Sequence, residues 1–493
     1  MVQLSKSLLS GKPESALQLL PEKVLQFGTG VLLRGLPDFL IDQANRQGVF
    51  NGRVVVVKST DSGDGAAFGE QDHLYTLCIR GVEEGRAVSE NVISSAISRV
   101  LTASREWQEV LACAADPQIG IVISNTTEVG IQLVREDIHQ SPPASFPGKL
   151  LAFLYERYRT FRGDQDKGVV IIPTELIPQN GALLESIVLE LAHLNDLEFD
   201  FLNWLESACR FCNSLVDRIV PGRPSEQQRA VLQEELGYTD KLLTVAEPYC
   251  FWAIEGDEKV SSALSFRQAS PESVVVAPDI ERYYERKLRL LNGTHTLSCG
   301  LAHLAGFVAV HEAMENPDME DYIERLILAE IAQSIPCKLP EGEAAQFGRQ
   351  VMDRFRNPSV EHRWLSIAVQ FSTKMRMRNI PVLQEHYRTQ KSVPVYFALG
   401  FAAFLCFYRN AEHKLQDDNA DYFTKKWAQY NPDELVDHIL SDKAFWGADL
   451  SAFPGFSAQV KQFVKEITGK GARQVIKELA SKNEAKNLAN TSA

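Results

Sequence analysis

The stretch KVLQFGTGVLLR, residues 23–34, decides the fold of the N-terminal half. A short apolar strand runs into Gly28-Thr29-Gly30 and then into a helical segment, which is the order that a dinucleotide-binding turn requires. Gly28 permits a tight turn, Gly30 lets the backbone approach a pyrophosphate, and the helix that follows offers N–H donors to it. Leu33 stands where a third glycine would complete the usual fingerprint. Such a turn is a weak signal alone, but its context favours a cofactor site.

Further apolar strands follow this turn, and helical segments separate them. Residues 53–58, 120–124 and 168–172 are apolar almost throughout, as parallel strands covered on both faces should be. Residues 74–80 and 85–88 predict an inserted hairpin. Strands that alternate with helices indicate a doubly wound parallel sheet. We therefore predict a Rossmann-like α/β domain, the NAD-binding domain, over residues 1–278.

Helical periodicity dominates the remainder of the chain. The predicted helical segments are 280–314, 319–334, 342–356, 393–408 and 455–480. The longest apolar run, Val395–Tyr408, falls short of the roughly 20 residues that a membrane span needs, so it predicts a buried helix. Residues 279–493 are thus predicted to form a mainly α-helical C-terminal domain that carries substrate and catalytic residues.

Composition narrows the class of protein. The 493 residues include 51 Lys and Arg against 64 Asp and Glu, and the net charge of −13 argues against a nucleic-acid surface. The first 22 residues lack a secretory pattern. The 8 cysteines are scattered, which is typical of reduced thiols. These features predict a cytoplasmic protein with neither a membrane nor a nucleic-acid partner, and they leave room for a small anionic ligand.

Several polar side chains are candidate cofactor contacts. Arg34 has two readings, as a donor to phosphate oxygens or as a solvated helix residue. The second strand ends in Lys58-Ser-Thr-Asp61, where Asp61 would hold ribose hydroxyls and Lys58 would suit a 2′-phosphate. Asp61 favours NAD as the cofactor. Asn125 and Glu128 follow the carboxyl end of another strand and are predicted, with Thr29, to face the cofactor.

The segment ERKLRLLNGTH, residues 285–295, combines an amine, an amide and an imidazole. Lys287 is the candidate general base, because an amine desolvated beside a cationic cofactor loses its proton more readily. Asn292 can donate to the reacting oxygen, and His295 shares its helix face. On a regular helix Lys287 lies roughly 140° from Asn292, which predicts a distorted helix or a separate turn. The alternative is a basic helix start without chemistry.

Two other patterns favour structure over chemistry. Cys209 and Cys212 have metal-like spacing, but no second pair follows nearby, and a place in a helical run predicts core packing rather than zinc. No metal site is predicted. The run Lys374-Met-Arg376-Met-Arg378 alternates basic and apolar side chains, so it either holds an anionic substrate or forms a surface strand or loop edge.

The chain resembles the long-chain, metal-independent polyol dehydrogenases typified by mannitol 2-dehydrogenase, and most closely their hexuronate branch. The resemblance runs through nearly the whole chain. The segments that carry it are LQFGTG at 25–30 with Arg34, SNTTE at 124–128, PTELI at 173–177 with Asn180 and Gly181, FCNSLVDRIV at 211–220, residues 285–295, and RFRNP at 354–358.

This resemblance implies a Rossmann-like domain, a helical domain and an active site between them. It implies that Lys287 is the acid/base, that Asn292 and His295 position the reacting oxygen, and that NADH reduces D-tagaturonate reversibly to D-altronate in hexuronate breakdown. Glu175 stands where the mannitol enzymes place a second asparagine, so it would hold the lysine or a substrate hydroxyl instead.

A uronate also carries a carboxylate, which needs a cation. Lys374 and Arg376 are the candidates, by charge and by their place in the helical domain. The leading hypothesis is therefore a metal-independent, NAD-dependent oxidoreductase whose partner is a small sugar acid. Fructuronate, or an uncharged ketose or polyol such as mannitol, is the alternative substrate. The non-enzyme alternative is an NAD-binding regulator.

Overall fold

The computed structural model describes residues 1–11, 13–59, 65–126, 129–409 and 416–491. The chain forms two compact units. The N-terminal unit contains residues 1–80 and 88–280, and the C-terminal unit contains residues 81–87 and 281–493. The division at Ile280 lies close to the boundary predicted at residue 278.

A six-stranded, wholly parallel sheet organises the N-terminal unit, in the order β6-β3-β2-β7-β8-β9. The smaller sheets are β12-β4-β5, β10-β13-β14 and the pair β1-β11. The strands are β1 Val2–Gln3, β2 Glu22–Phe27, β3 Arg53–Lys58, β4 Tyr75–Glu83, β5 Arg86–Ser94, β6 Ile97–Thr102, β7 Ile121–Ser124, β8 Val170–Pro173, β9 Arg210–Phe211, β10 Ser214–Asp217, β11 Tyr238–Thr239, β12 Thr244–Ala246, β13 Phe251–Glu255 and β14 Val274–Ala277.

The central strands are buried on both faces because successive apolar residues point to opposite sides of the sheet. Leu25, Phe27 and Val55 enter one hydrophobic core, whereas Val24 and Val54 enter the other. Helices pack on both faces of the sheet. The helices of this unit are α1 Val31–Gly35, α2 Pro37–Arg46, α3 Gly65–Glu70, α4 Ala103–Ala112, α5 Phe146–Phe161, α6 Asn180–Leu194, α7 Phe199–Ala208, α8 Glu226–Leu236 and α9 Glu258–Ala263. The predicted doubly wound, Rossmann-like fold is confirmed.

The C-terminal unit is built from helices, as predicted. The α-helices are α10 Glu281–Arg286, α11 Thr294–Leu304, α12 Val310–Met314, α13 Pro317–Arg325, α14 Glu343–Phe355, α15 Trp364–Ile367, α16 Phe371–Lys374, α17 Ile380–Thr389, α18 Val395–Phe407, α19 Ala420–Gln429, α20 Pro432–Leu440, α21 Lys443–Trp446, α22 Phe456–Lys470 and α23 Ala472–Thr491. Within the described part of this unit, three segments have the wider π-helical winding: π1 Lys287–Gly293, π2 Leu326–Ile331 and π3 Met375–Asn379.

Helix α18 forms the centre of this unit, and its residues 397–407 are all buried. It crosses α11 with the two backbones in close approach. A Cβ atom added at Gly300 of α11 would lie 2.9 Å from the carbonyl oxygen of Ala403, and one added at Gly400 would lie 2.7 Å from that of Leu297. The missing side chains thus let α18 support the helix that carries His295. Within the described ranges, no helix is both long and apolar enough to span a bilayer.

Candidate active site

The glycine turn after β2 lies where the strand order reverses, between β3 and β7. Its backbone is joined to both neighbours, because Gly28 N donates to Val57 O at 3.0 Å and Asn125 N donates to Phe27 O at 3.1 Å. Crevices at such switch points, beyond the carboxyl ends of the strands, are where α/β sheets bind ligands.

The two glycines of this turn have different surroundings. Gly28 has φ of +124°, and a Cβ there would lie 2.7 Å from the carbonyl oxygen of Asn125. Gly30 has no atom within 4 Å of an added Cβ, so its backbone faces open space. Gly28 therefore shapes the turn, and Gly30 leaves room for a group to approach the turn closely.

Residue Leu33, which replaces the third glycine of the fingerprint, is buried and packs against the turn, 3.0 Å from the position of a Cβ at Gly28. The close approach that a third glycine would allow occurs at Gly35, two residues later. A Cβ at Gly35 would lie 2.8 Å from a methyl group of Val220. Sequence reasoning missed Gly35, although it lies only a few residues beyond the motif.

Arg34 supports the turn from the interior. Its side chain is buried, and its guanidinium donates from Nη1 to the carbonyl oxygen of Thr29 at 3.1 Å and from Nε to Thr244 Oγ1 at 3.1 Å. The reading of Arg34 as a solvated helix residue is therefore wrong. The contact of Arg34 with phosphate oxygens stays a prediction. Asp61 and Glu128, the other charged candidates, lie outside the described residues.

Glu175 and Asn125 stand in the loops that follow β8 and β7. The Glu175 carboxylate is buried and accepts from Thr126 N at 2.8 Å, Thr126 Oγ1 at 3.0 Å and Ser124 Oγ at 3.1 Å. Asn125 Nδ2 donates to Thr174 Oγ1 at 3.0 Å. Glu175 thus holds the loop that bears Asn125, and its contact with a substrate hydroxyl stays a prediction.

The segment with Lys287, Asn292 and His295 is not a regular α-helix, so its spacing does not separate Lys287 from Asn292. Residues 287–293 form π1, and α11 continues directly from it. In a π-helix the hydrogen bonds join residues five apart, so Lys287 and Asn292 are stacked neighbours rather than residues on different faces. The predicted helix distortion is confirmed. Single π turns occur frequently at functional sites.

The π1 turn is held by π3 through hydrogen bonds in both directions. Arg289 Nη1 donates to the carbonyl oxygens of Met377 and Arg378 at 2.6 and 2.9 Å. In return, Asn379 Nδ2 donates to Gly293 O at 2.9 Å. A Cβ at Gly293 would lie 3.1 Å from that amide nitrogen, which leaves little space for any other residue there. Two irregular helices therefore stabilise each other beside the candidate catalytic residues.

His295 lies on the first turn of α11 in an aromatic pocket. Its ring stacks on Phe355 with centroids 4.1 Å apart and meets the His362 ring edge-on at 4.8 Å. Burial, with the charges of His362 and Arg354 next in effect, holds the pKa of His295 well below 6.5. The imidazole is therefore neutral near neutral pH. Neither of its nitrogens, nor the Asn292 amide, hydrogen-bonds to another described residue, so both groups are available to a ligand.

The low pKa of His295 makes stability depend on pH. Below about pH 6.5 the unfolded chain takes up a proton at this histidine and the folded chain does not, so the free energy of unfolding falls as the pH drops. His295→Asn is expected to reduce that fall by up to about 1.4 kcal/mol per pH unit. Urea unfolding of both proteins between about pH 7.5 and 5.5 measures the slopes. Equal slopes would contradict the assignment of a neutral His295.

The basic run at residues 374–378 is helical, so the expectation of a surface strand or loop edge is wrong. Helical winding separates its members. Arg376 is exposed and reaches the carbonyl oxygen of Phe445 at 3.4 Å, lying over the ring of that residue. Arg378 instead donates to Thr296 Oγ1 at 3.2 Å and Asn292 O at 3.4 Å. The structure thus brings Lys374 and Arg378, rather than Arg376, toward His295.

Cys209 and Cys212 do not share a helix, contrary to expectation. Cys209 follows the end of α7, and Cys212 lies between β9 and β10. Both are buried, and burial raises the pKa of the Cys209 thiol to about 11 and that of Cys212 to about 12. These are the properties of unreactive core thiols. In the part of the chain that the structure describes, no group of three His, Cys, Asp or Glu residues is placed to hold a metal ion.

Comparison with known proteins agrees with both units. The family model of the mannitol dehydrogenase Rossmann domain matches residues 22–267, and that of the mannitol dehydrogenase C-terminal domain matches residues 279–468. The chain belongs to the mannitol dehydrogenase family. It is an oxidoreductase that acts on CH–OH groups, so its Lys-Asn-His turn lies in a family of enzymes with that chemistry.

The similarity to individual relatives and to a solved structure covers nearly the whole of this chain and of theirs. An altronate oxidoreductase of Bacillus subtilis is 39% identical over 93% of this chain and 95% of its own. One from Cronobacter sakazakii is 40% identical over 93% and 97%. The structure of Pseudomonas fluorescens mannitol 2-dehydrogenase, a ternary complex with NAD and D-mannitol, has a TM-score of 0.66 at 22% identity, covering 98% of this chain and 100% of that chain. At that identity the likeness shows the fold.

Proposed function

We propose that the chain is an NAD-dependent altronate oxidoreductase, which interconverts D-tagaturonate and D-altronate in hexuronate breakdown without a metal. The observation that supports the chemistry is the π1 turn, since its winding places Lys287 and Asn292 at neighbouring positions on one face, just before a neutral His295. The choice of substrate is supported by relatives of that name at 36–40% identity.

The chemistry of each side chain follows from its type. In the direction of oxidation, the Lys287 amine accepts the proton of the substrate hydroxyl, and in reduction it returns that proton. Asn292 donates an amide N–H to the same oxygen as negative charge develops on it. The neutral ring of His295 can orient a substrate oxygen by hydrogen bonding. It adds no positive charge to the site.

NAD, when bound, supplies the acceptor for the hydride that leaves the carbinol carbon. The N-terminal unit has a turn that fits a dinucleotide, because the space at Gly30 is open and Gly28 keeps the turn tight. Gly28, Thr29 and Gly30 would contact the phosphates, with Arg34 supporting them. Asp61 would hold the ribose hydroxyls, and Asn125 and Glu128 would face the cofactor.

A panel of keto sugars with NADH and NADPH tests the proposal. We expect kcat/KM for D-tagaturonate with NADH to exceed that for D-fructuronate and D-fructose by at least about tenfold, because a site that pairs polar groups rejects substrates that leave those groups unpaired. A preference for D-fructuronate or for the uncharged ketose would assign those substrates instead. Binding of NADH without turnover of any keto sugar would favour a regulator.

A further inference from the structure

Four basic side chains act electrostatically on His295: Arg354, His362, Lys374 and Arg378. Two of them, Lys374 and Arg378, stand four residues apart in one helical run. Burial, reinforced by the charge of Arg378, lowers the pKa of Lys374. Burial also lowers the pKa of Arg378 to about 10. Among the described residues, neither side chain forms an ion pair with a carboxylate. Like charges in this spacing destabilise a helix, and partial burial adds to the cost.

Asp417 is the carboxylate that acts on Lys374, but it forms no ion pair with that residue. Asp417 acts on Lys374 over a distance, but its carboxylate accepts from Ser372 N and Ser372 Oγ, both at 2.7 Å, and from Asn419 N at 3.0 Å. The Lys374 ammonium itself donates to the carbonyl oxygen of Ile367 at 3.1 Å. Among the described residues, no carboxylate forms an ion pair with Lys374 or Arg378.

Arg378 is also the basic residue tied most directly to the candidate catalytic turn. Its Nη1 bonds to Asn292 O and Thr296 Oγ1 set the position of the guanidinium relative to the Asn292 side chain. Its Nε and Nη2 donate to no other described residue. That pair of nitrogens is the edge of a guanidinium that binds a carboxylate through two parallel hydrogen bonds.

We propose that Arg378, with Lys374 beside it, binds the carboxylate of the substrate while Asn292 and His295 contact its reacting oxygen. The inference rests on the proposed function, because it takes the substrate to be a sugar acid. A bound carboxylate removes the repulsion between the two cations and fills the open edge of the guanidinium. Arg378 would thus make the site selective for a uronate over an uncharged ketose.

Arg376 provides a matched control. It lies in the same π3 segment and carries the same charge, but its side chain is exposed beside Phe445. If only the general positive charge of the region matters, substitutions at both positions should lower activity on the uronate. If Arg378 contacts the carboxylate directly, only the substitution at Arg378 should do so.

The experiment compares D-tagaturonate with D-tagatose, which has a hydroxymethyl group in place of the carboxylate. In Arg378→Met we expect kcat/KM for D-tagaturonate to fall about 100-fold and that for D-tagatose to fall roughly tenfold less, because both sugars lose the bonds from Arg378 to Asn292 and Thr296 but only the uronate loses a carboxylate contact. Arg378→Lys keeps the charge without the fork and should recover activity to within about tenfold of the wild type. Arg376→Met should resemble the wild type with both sugars.

Thermal unfolding gives a readout that does not depend on turnover. D-altronate should raise the Tm of the wild type and of Arg376→Met but not of Arg378→Met, and this shift decides the matter if D-tagatose turns over too slowly to measure. An equal fall in kcat/KM for both sugars in Arg378→Met would assign Arg378 a structural role and overturn the inference. A fall in Arg376→Met that is confined to the uronate would overturn it as well. A wild-type enzyme inactive on D-tagaturonate and unshifted by D-altronate would overturn the proposed function itself.

Discussion

Replacing Lys287 with alanine is expected to lower kcat by about 10³-fold while the affinity for NADH stays unchanged. The amine is the proposed proton acceptor, and general acid–base catalysis by one positioned group contributes about 10²- to 10⁴-fold. The glycine turn proposed for the cofactor belongs to the other compact unit, so the substitution leaves it intact. Steady-state kinetics with D-altronate and NAD, together with a fluorescence titration of NADH, measure the two quantities.

Lys287→Arg is the control that separates proton transfer from charge. An arginine preserves the positive charge at this position of π1 but does not give up its proton, so it cannot serve as a base. We expect Lys287→Arg to be as inactive as Lys287→Ala. Activity close to that of the wild type in the arginine variant would show that only the charge at residue 287 is needed, and the acid/base role would have to be abandoned.

The sheet was predictable because its strands carry a simple physical signal. A strand covered on both faces is apolar at every position, and residues 53–58 of β3 were delimited correctly on that ground. The same rule missed β6, Ile97–Thr102, because this strand is not an unbroken apolar run. It is one of the two edge strands, its polar residues Ser98 and Arg99 interrupt the apolar run, and Arg99 forms an ion pair with Glu22 rather than entering a core.

The candidate catalytic turn was only partly predictable. The spacing of Lys287 and Asn292 conflicts with a regular helix, so a distortion could be inferred. Its form could not, because the π winding is supported by residues far along the chain, namely Arg289 bonding to π3 and Asn379 bonding to Gly293. The different surroundings of Arg376 and Arg378 could not be predicted either, for a related reason. Residues two apart point to one side of a strand but to opposite sides of a helix, and the run was not expected to be helical.

Substitution of Gly30 by alanine should weaken NADH binding by about 10- to 100-fold without loss of stability. The residue has φ of −64°, which alanine adopts freely, and an added methyl group meets no protein atom within 4 Å. The methyl would instead occupy the space through which a pyrophosphate approaches the backbone, at a cost comparable to that of a lost hydrogen bond to a charged group. Thermal unfolding measures the stability of the variant, and titration of the same preparation with NADH measures its affinity for the cofactor.

Gly28→Ala is the companion variant, and it should fail in a different way. Its Cβ would lie 2.7 Å from the Asn125 carbonyl oxygen at a φ of +124°, so we expect a loss of about 2 kcal/mol in the free energy of unfolding, together with weaker NADH binding. The contrast between the two glycines is the informative result, because Gly28 is constrained by the protein and Gly30 only by what binds there. A Gly30→Ala protein with unaltered NADH affinity would place the cofactor away from this turn.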